Sequence, residues 1–486
     1  MKYLTTRAIE TLSKQKAEQA IVADRKAYSG SDLLSMVTSR QAQLSDLPEG
    51  SVIMLAEAGV VFWTDLIAVW GAGMTAVHFD VTADAATIAE MYDIVEPTAI
   101  LKSTDRKIAG LQDVPTFSFA DAEVLPSIAT PKVIDSPTNI ASIIFTSGST
   151  GRIKGVALSS DALLGNSLGI LEVLPLTSDD RLFVPIAFNF MSALNHFIAC
   201  MVTGATLLCF ERRLLLGDFL DAINDSKATC LGGSPLHVRW IAEAVSEKSA
   251  ALNWVMSSGD ALLTSTIDQF QEAFPNVGIY CVYGLTEVGG RFCILPFSKL
   301  SEKKGSVGKP IKGLHVTVRD EEENEVGPGV LGEICASGDF LMEGYYQAAD
   351  LTEETIGPYG MRTRDSGYLD EEGFLYVVGR LDDTFKTNGK KVSAVLISDV
   401  LLSLGMFTDV AIGPGNDPIL GSVPWLFYVL KPDAEFQKGV ALRAVRSKLP
   451  SNHLPQKFIE VDEIPRTGSG KLKRAVLRRM IADLSA

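Results

Sequence analysis

Short apolar runs alternate with helix-length segments through the first part of the chain. Residues 52–55 predict a strand and residues 60–70 a helix. Residues 139–145 predict a strand, followed after a loop by a helix over 160–171. Further strands are predicted at 182–186, 205–210, 228–231, 254–257 and 277–283, with helix-length segments between many of them. This alternation predicts the α/β class, with mostly parallel sheets flanked by helices. Such sheets place their ligands at the carboxyl ends of the strands.

The pattern changes after about Gly305. Residues 314–318, 332–337 and 374–378 predict strands joined by turns rich in Gly, Asp and Glu, a small and more antiparallel β region. It changes again near GRLD at 379–382. Helices are then predicted at 395–404, 440–448 and 472–482, and strands at 410–412, 426–430 and 458–461. That content is a compact α+β module. The expected domains are therefore 1–381 and 382–486. No internal repeat is visible.

Composition narrows the function. The chain has 486 residues, 47% hydrophobic and 21% charged, which is enough apolar content for a large core. Its formal charge is −15, with 59 acidic against 44 basic side chains. That balance argues against nucleic acid or an anionic membrane as partner, because both need a positive footprint. The cysteines, Cys200, Cys209, Cys230, Cys281, Cys293 and Cys335, include no CxxC pair and sit in apolar runs. They read as buried reduced thiols, as in a reducing compartment. The N-terminal MKYLTTRAIETLSKQKAEQA lacks the apolar core of a signal peptide. The longest apolar stretches, 58–79 and 194–210, are broken by Asp65, His78, Asn195 and His196, so no membrane span is expected. A cytoplasmic protein is the expectation.

Four segments carry candidate chemistry. FTSGSTGRIKG at 145–155 packs three glycines and four hydroxyl residues into eleven positions after an apolar strand. Glycine permits close backbone approach, and N–H groups with Ser and Thr hydroxyls can cradle phosphate oxygens. Lys154 precedes Gly155, so the segment is not a Walker A loop, which needs Gly-Lys-Ser/Thr. A surface turn is the competing reading. VYGLTEVGG at 282–290 offers Tyr283 for stacking on adenine, Thr286 for a phosphate and Glu287 for Mg²⁺. RTRDSGY at 362–368 and YVVGRLDD at 376–383 offer Asp365 for ribose hydroxyls and Arg380 for ribose or phosphate. PRTGSGKLKR at 465–474 presents Lys471 at a helix start, where a cation opposes the helix dipole.

Taken together and in order, FTSGSTGRIKG, YGLTE, TRDSGYLDEEGF, GRLDD and PRTGSGK resemble the ANL superfamily of adenylate-forming enzymes. That group comprises acyl- and aryl-CoA synthetases, peptide-synthetase adenylation domains and luciferases. The resemblance spans essentially the whole chain. It implies activation of a small carboxylic acid by ATP and Mg²⁺ to an acyl-adenylate, then transfer to the thiol of CoA or of phosphopantetheine on a carrier protein. It implies that Thr146, Ser147, Gly148, Ser149, Thr150, Gly151 and Lys154 hold phosphates. By the same resemblance Tyr283 and Gly284 belong to the nucleotide site, Thr286 contacts the α-phosphate and Glu287 holds the metal. Asp365 and Arg380 hold the ribose, and Lys471 bridges carboxylate and phosphate. Asp382 takes the hinge position. A mobile C-terminal domain then brings Lys386 and Gly389 towards the site for the pantetheine arm.

The acid pocket is expected from Phe188, Asn189 and Ser192, from Gly233 and His237, and from Gly259. Asn189 stands where amino-acid-activating relatives usually carry Asp. A buried ammonium without a partner is costly, so an aryl or other apolar acid is favoured over an α-amino acid. His196 and His237 read either as pocket residues or as packed histidines. The sequence departs from the family at Ile153 (usually Pro), Arg364 (usually Gly), Ser366 (usually Leu) and across 393–397. Loading of a carrier protein, a luciferase-like oxidation and a degenerate nucleotide-binding protein are the rival functions.

Overall fold

The computed structural model describes residues 2–14, 20–23, 25–55, 59–79, 83–102, 114–118, 131–134, 139–147, 153–210, 214–243, 252–381, 385–387, 390–417, 421–466 and 472–484. Two large sheets dominate. A nine-stranded sheet runs from strand Lys309–Pro310 at one edge to Lys26–Tyr28 at the other. Its centre is parallel and contains Gly278–Tyr283, Trp254–Ser257, Cys230–Gly233, Arg181–Phe183, Thr206–Cys209 and Ile21–Ala23. A seven-stranded sheet has a parallel set of Ile140–Ser147, Thr75–His78, Ser51–Leu55, Ala99–Lys102 and Thr116–Ser118.

Helix Val60–Gly71 packs on strands of both sheets, and nearly every residue in it is buried. This explains why its sequence is apolar all round rather than amphipathic. Strands Ser51–Leu55 and Thr75–His78 are buried along their length, as parallel strands covered on both faces must be. Among the described residues no helix is long and apolar enough to cross a membrane.

One local expectation fails. The segment between strand Ile140–Ser147 and helix Ser160–Leu171 is not simply a loop, because Ile153–Ser159 forms an antiparallel strand that closes a hairpin. Gly155, Lys154 and Ser159 interrupt the apolar run there, so the strand left little trace in the pattern.

The small antiparallel region is a five-stranded sheet of Leu314–Arg319, Gly332–Gly338, Ile356–Gly357, Gly360–Leu369 and Leu375–Arg380. A second five-stranded sheet, with Phe407–Asp417 and Gly421–Leu430 as its long hairpin, lies beyond it in the chain. Helices Ala394–Leu402, Lys438–Lys448 and Arg474–Asp483 accompany that sheet. Its two hydrophobic clusters draw only on residues from Phe385 to Ile481. All six cysteines are buried free thiols. Burial raises the thiols of Cys200, Cys230, Cys281, Cys293 and Cys335, that of Cys281 to about 12.

Candidate active site

The hairpin 140–159 aligns Thr146 with Lys154 and Ser147 with Ile153 across its last rungs. Gly148, Ser149, Thr150 and Gly151 lie outside the described residues. Ile153 begins the returning strand, and its side chain packs with Phe145 and Tyr346 around an apolar cluster. Lys154 Nζ stands 5.0 Å from the ring centroid of Tyr345, in the short strand Gly344–Tyr345 that pairs onto the same hairpin. The Tyr345 hydroxyl in turn donates to Glu287 Oε1 at 3.0 Å. Burial first, and then the Glu287 charge, hold the Tyr345 phenol above its ordinary range. Tyr345 was not among the expected site residues. Its only trace in the sequence is an EGYY run without a distinctive pattern.

Glu287 sits in the 3₁₀ turn Thr286–Val288, just past the carboxyl end of strand Gly278–Tyr283. The chain crosses itself there: a Cβ on Gly284 would lie 1.8 Å from the Gly290 carbonyl oxygen, so only glycine fits. The turn is held from three sides. Asn166 donates to the carbonyls of Val288 (2.9 Å) and Arg291 (2.7 Å). Asn195 donates to the Gly289 carbonyl at 3.0 Å, and the Met342 N–H donates to the Glu287 carbonyl at 2.8 Å. Thr286 is half-buried in the same turn.

Asp365 and Arg380 are directly opposite each other on neighbouring antiparallel strands. Arg380 Nη1 donates to Asp365 Oδ1 at 3.1 Å and to the Thr363 carbonyl at 3.2 Å. The Tyr283 hydroxyl donates to the other carboxylate oxygen at 2.5 Å. Burial pushes the Asp365 carboxyl up, opposed by Arg380 and Tyr283. Burial and the Asp365 charge lift the Tyr283 phenol well above its usual value. A tyrosine whose hydroxyl is tied to Asp365 offers its ring rather than its oxygen to a ligand. The preceding residue, Arg364, has φ +62°, the left-handed region that favours glycine. Its N–H donates to Glu333 Oε1 at 3.2 Å, while Arg362 donates to Glu333 Oε2 at 2.7 Å. Glu333 thus clamps the turn that aims Asp365. Ser366 is fully buried on the same strand.

Residues expected in the acid pocket fall into two groups. Ser192 Oγ lies 3.0 Å from Ser258 Oγ, which brings the 188–192 and 258–260 segments together. Asn189 is half-buried, and Gly259 is exposed at φ +95°. Phe188 is 2% exposed and packs against Phe62 and Trp63, with ring centroids 5.3 and 4.5 Å away. His237 is buried too. It lies against Gly233 and Phe219, with its Nδ1 3.0 Å from Ser234 Oγ. Both rings are buried among neighbouring aromatic side chains.

Lys386 lies in strand Phe385–Thr387, while Gly389, Asp382 and Lys471 fall outside the described residues. The residues flanking the loop of Lys471 are anchored. Arg466 and Leu472 form an isolated β-bridge, and Arg466 Nε donates to Asp409 at 2.6 Å. A cleft of about 180 Å³ separates this module from the rest of the chain. Asp260, Arg380, Phe385, Arg466 and Arg474 line it, so it borders the Asp365–Arg380 pair. Ser393 caps helix Ala394–Leu402 and donates to the Val378 carbonyl at 2.9 Å, which ties the module to the last strand before it.

Among the described residues no cluster of three His, Cys, Asp or Glu could hold a metal. A lone carboxylate such as Glu287 nevertheless suits Mg²⁺, which commonly takes one or two carboxylates plus phosphate and water oxygens.

Comparison with known proteins places this geometry. Residues 10–346 match the family model of AMP-binding enzymes, and residues 397–471 match that of the AMP-binding enzyme C-terminal domain. A 2-succinylbenzoate--CoA ligase from Bacillus cereus (strain AH820) is 28% identical over 442 residues, covering 89% of each chain. The o-succinylbenzoate CoA synthetase of Bacillus subtilis, solved with its acyl-adenylate intermediate, superposes with a TM-score of 0.86 over 97% of both chains at 21% identity. ATP-bound MatB from Rhodopseudomonas palustris superposes with a TM-score of 0.89, covering 99% of this chain and 100% of that one at 21% identity. The chain belongs to the AMP-binding enzyme family, the adenylate-forming ANL superfamily that its motifs resemble, and is an AMP-forming acid–thiol ligase.

Proposed function

We propose that this enzyme joins an aryl or other apolar carboxylic acid to the thiol of coenzyme A through an acyl-adenylate. The observation that carries the proposal is the convergence of Lys154, Glu287, Tyr283, Asp365 and Arg380 around strand ends, beside a cleft towards the C-terminal module. The CoA ligase names of the curated relatives favour CoA over a carrier protein as acceptor.

In the first step a carboxylate oxygen bonds to the α-phosphorus of ATP, and the bond to the bridging oxygen breaks to release pyrophosphate. In the second the thiol sulfur bonds to the acyl carbon, loses its proton, and AMP leaves with the former carboxylate oxygen. The carboxylate is itself the nucleophile, so catalysis reduces to positioning and to stabilising negative charge. Asp365 accepts from the ribose hydroxyls, Arg380 donates beside it and the Tyr283 ring stacks on the adenine. Lys154 and the hydroxyls of 146–150 meet phosphate oxygens. Glu287, held by the Tyr345 hydroxyl, is the carboxylate for Mg²⁺. When bound, Mg²⁺ supplies neutralising charge to the phosphates. Lys471 bridges carboxylate and α-phosphate in the first step. The domains divide at 381/382, and the free thiols favour a reducing, cytoplasmic setting.

The deciding experiment is pyrophosphate release from Mg-ATP over aryl, fatty and amino acids, with and without CoA. Release with an apolar acid, further stimulated by CoA and yielding an acyl-CoA, is expected. Release that CoA fails to stimulate would redirect the second step to a carrier protein. Silence with every acid would sink the reading.

A further inference from the structure

Two arginines are buried in the large N-terminal part of the chain, and their surroundings differ. Arg40 is fully compensated: its Nε donates to Asp65 at 2.8 Å, and its Nη2 donates to the Ser118 carbonyl at 2.9 Å. Arg291 is 2% exposed, and among the described residues no carboxylate lies within ion-pair distance of it. Its Nη2 lies 3.1 Å from His196 Nδ1, and its Nη1 has no partner. A guanidinium can only donate, so His196 Nδ1 must accept and the ring proton must sit on Nε2. That second N–H is also without a partner. Burial, and then the Arg291 charge, push His196 well below its usual pKa, so the ring stays neutral. Burial lowers Arg291 only to about 9, which leaves it cationic at neutral pH.

A buried cation without a counter-charge is strongly disfavoured unless something supplies one. These two donors lie beside segments expected to line the acid pocket. His196 belongs to helix Met191–Thr203, whose first turn carries Ser192. Its ring abuts Gly232, where an added Cβ would come within 2.3 Å of it. Arg291 directly follows the Glu287 turn.

We infer that Arg291, with His196 as its neutral second donor, selects carboxylic acids that carry a second anionic group remote from the reacting carboxylate. This rests on the ligase reading above and narrows its substrate class to an apolar acid with one distant acceptor. The donors are covered in the ligand-free chain, so a side chain must yield on binding. Met191, flexible and packed against Gly290 beside Arg291, is the side chain placed to do so.

The test uses matched acids in the pyrophosphate-release assay. One pair is 2-succinylbenzoate and its analogue lacking the ring carboxylate; others are straight-chain dicarboxylic acids and monocarboxylic acids of equal length. The wild-type enzyme should favour the doubly acidic member of at least one pair by about 10- to 100-fold in kcat/KM, the range of a charge-assisted hydrogen bond. Arg291→Met should erase that preference while sparing the singly acidic member, and Arg291→Lys should keep part of it. A wild-type enzyme without preference overturns the inference whether or not the variants fold. So does an Arg291→Met enzyme that loses both members equally, which would mark a packing role. Release with no acid at all is a separate outcome, since it removes the ligase reading and this inference with it.

Discussion

Arg364 shows how a departure from a family pattern acquires a physical meaning. The family usually has glycine there, and in this chain the position takes φ +62°. A side chain in that region costs about 1–2 kcal/mol, which the clamp of Glu333 on the Arg362 side chain and the Arg364 backbone N–H offsets. Arg364→Gly should therefore leave stability unchanged or raise it by about 1 kcal/mol, because relief of strain outweighs the extra freedom of the unfolded chain. Arg364→Val should lower stability by about 2 kcal/mol, since a β-branched residue tolerates this conformation worst. Urea denaturation of both variants decides; a valine as stable as arginine would remove strain from the account. The charges proposed to meet the ligand, Asp365, Arg380 and Glu287, were legible because the motifs fix them in sequence. Tyr345 and Glu333, which aim them, were not. Each acts through a contact with a residue at least 29 positions away, and local pattern carries no record of such a contact.

Helix Thr264–Ala273 has no side-chain cap of its own, because Leu263 occupies that place. Its first turn is served instead by Asp399 from helix Ala394–Leu402 of the C-terminal module. Asp399 accepts from Thr264 Oγ1 at 2.5 Å, from the Ser265 N–H at 3.2 Å and from Ser265 Oγ at 3.0 Å. A carboxylate there both satisfies one orphan N–H and complements the helix dipole, together worth about 1 kcal/mol. It is also a latch between the two parts of the chain. Asp399→Asn should weaken this one arrangement without disturbing either core. We expect the rates of acyl-adenylate formation and of thioester formation to change in opposite directions, by about two- to fivefold, as a bias of about 1 kcal/mol allows. Equal changes in both steps would show that the contact merely stabilises the fold. Elements of this kind were well anticipated where an apolar segment had helix length, as in helices Val60–Gly71 and Ser160–Leu171. The strand Ile153–Ser159 escaped because it is covered on both faces from Gly155 onward and shows no alternation, with glycine and lysine in its first half.

The whole molecule carries a built-in sensitivity to acid and a division of labour between its parts. His78 is buried in the seven-stranded sheet, where burial lowers its pKa from 6.5 to about 4. The folded ring stays neutral while the unfolded one binds a proton, so this contribution to stability is present above about pH 6.5 and is lost as pH falls towards 4. At pH 5 the loss amounts to about 2 kcal/mol. Denaturant titrations at pH 7.5 and 5 should show wild type losing about that much more than His78→Gln; parallel losses would place the acid sensitivity elsewhere. The division of labour is the larger matter. Two hydrophobic clusters belong wholly to residues from 385 onward, and the chain reaches them through a short connection pinned by Ser393 to the Val378 carbonyl. A module with its own core can reorient as a body, which is the requirement of a hinge transition. Arg466, fixed by Asp409 and paired with Leu472, ties both ends of the segment that carries Lys471 to the module. If Lys471 meets the reacting phosphate only in the first of two orientations, Lys471→Ala must act on one step alone. Acyl-adenylate formation should fall by about 10²–10³-fold, the usual loss when one stabilising donor is removed. Thioester formation from supplied acyl-adenylate and CoA should stay within about twofold of wild type, because that step would use the other face of the module. Single-turnover measurements of the two half-reactions separate these cases. Equal loss in both would mean that Lys471 stays at the site throughout, and that the C-terminal module completes one fixed active site instead of alternating between two.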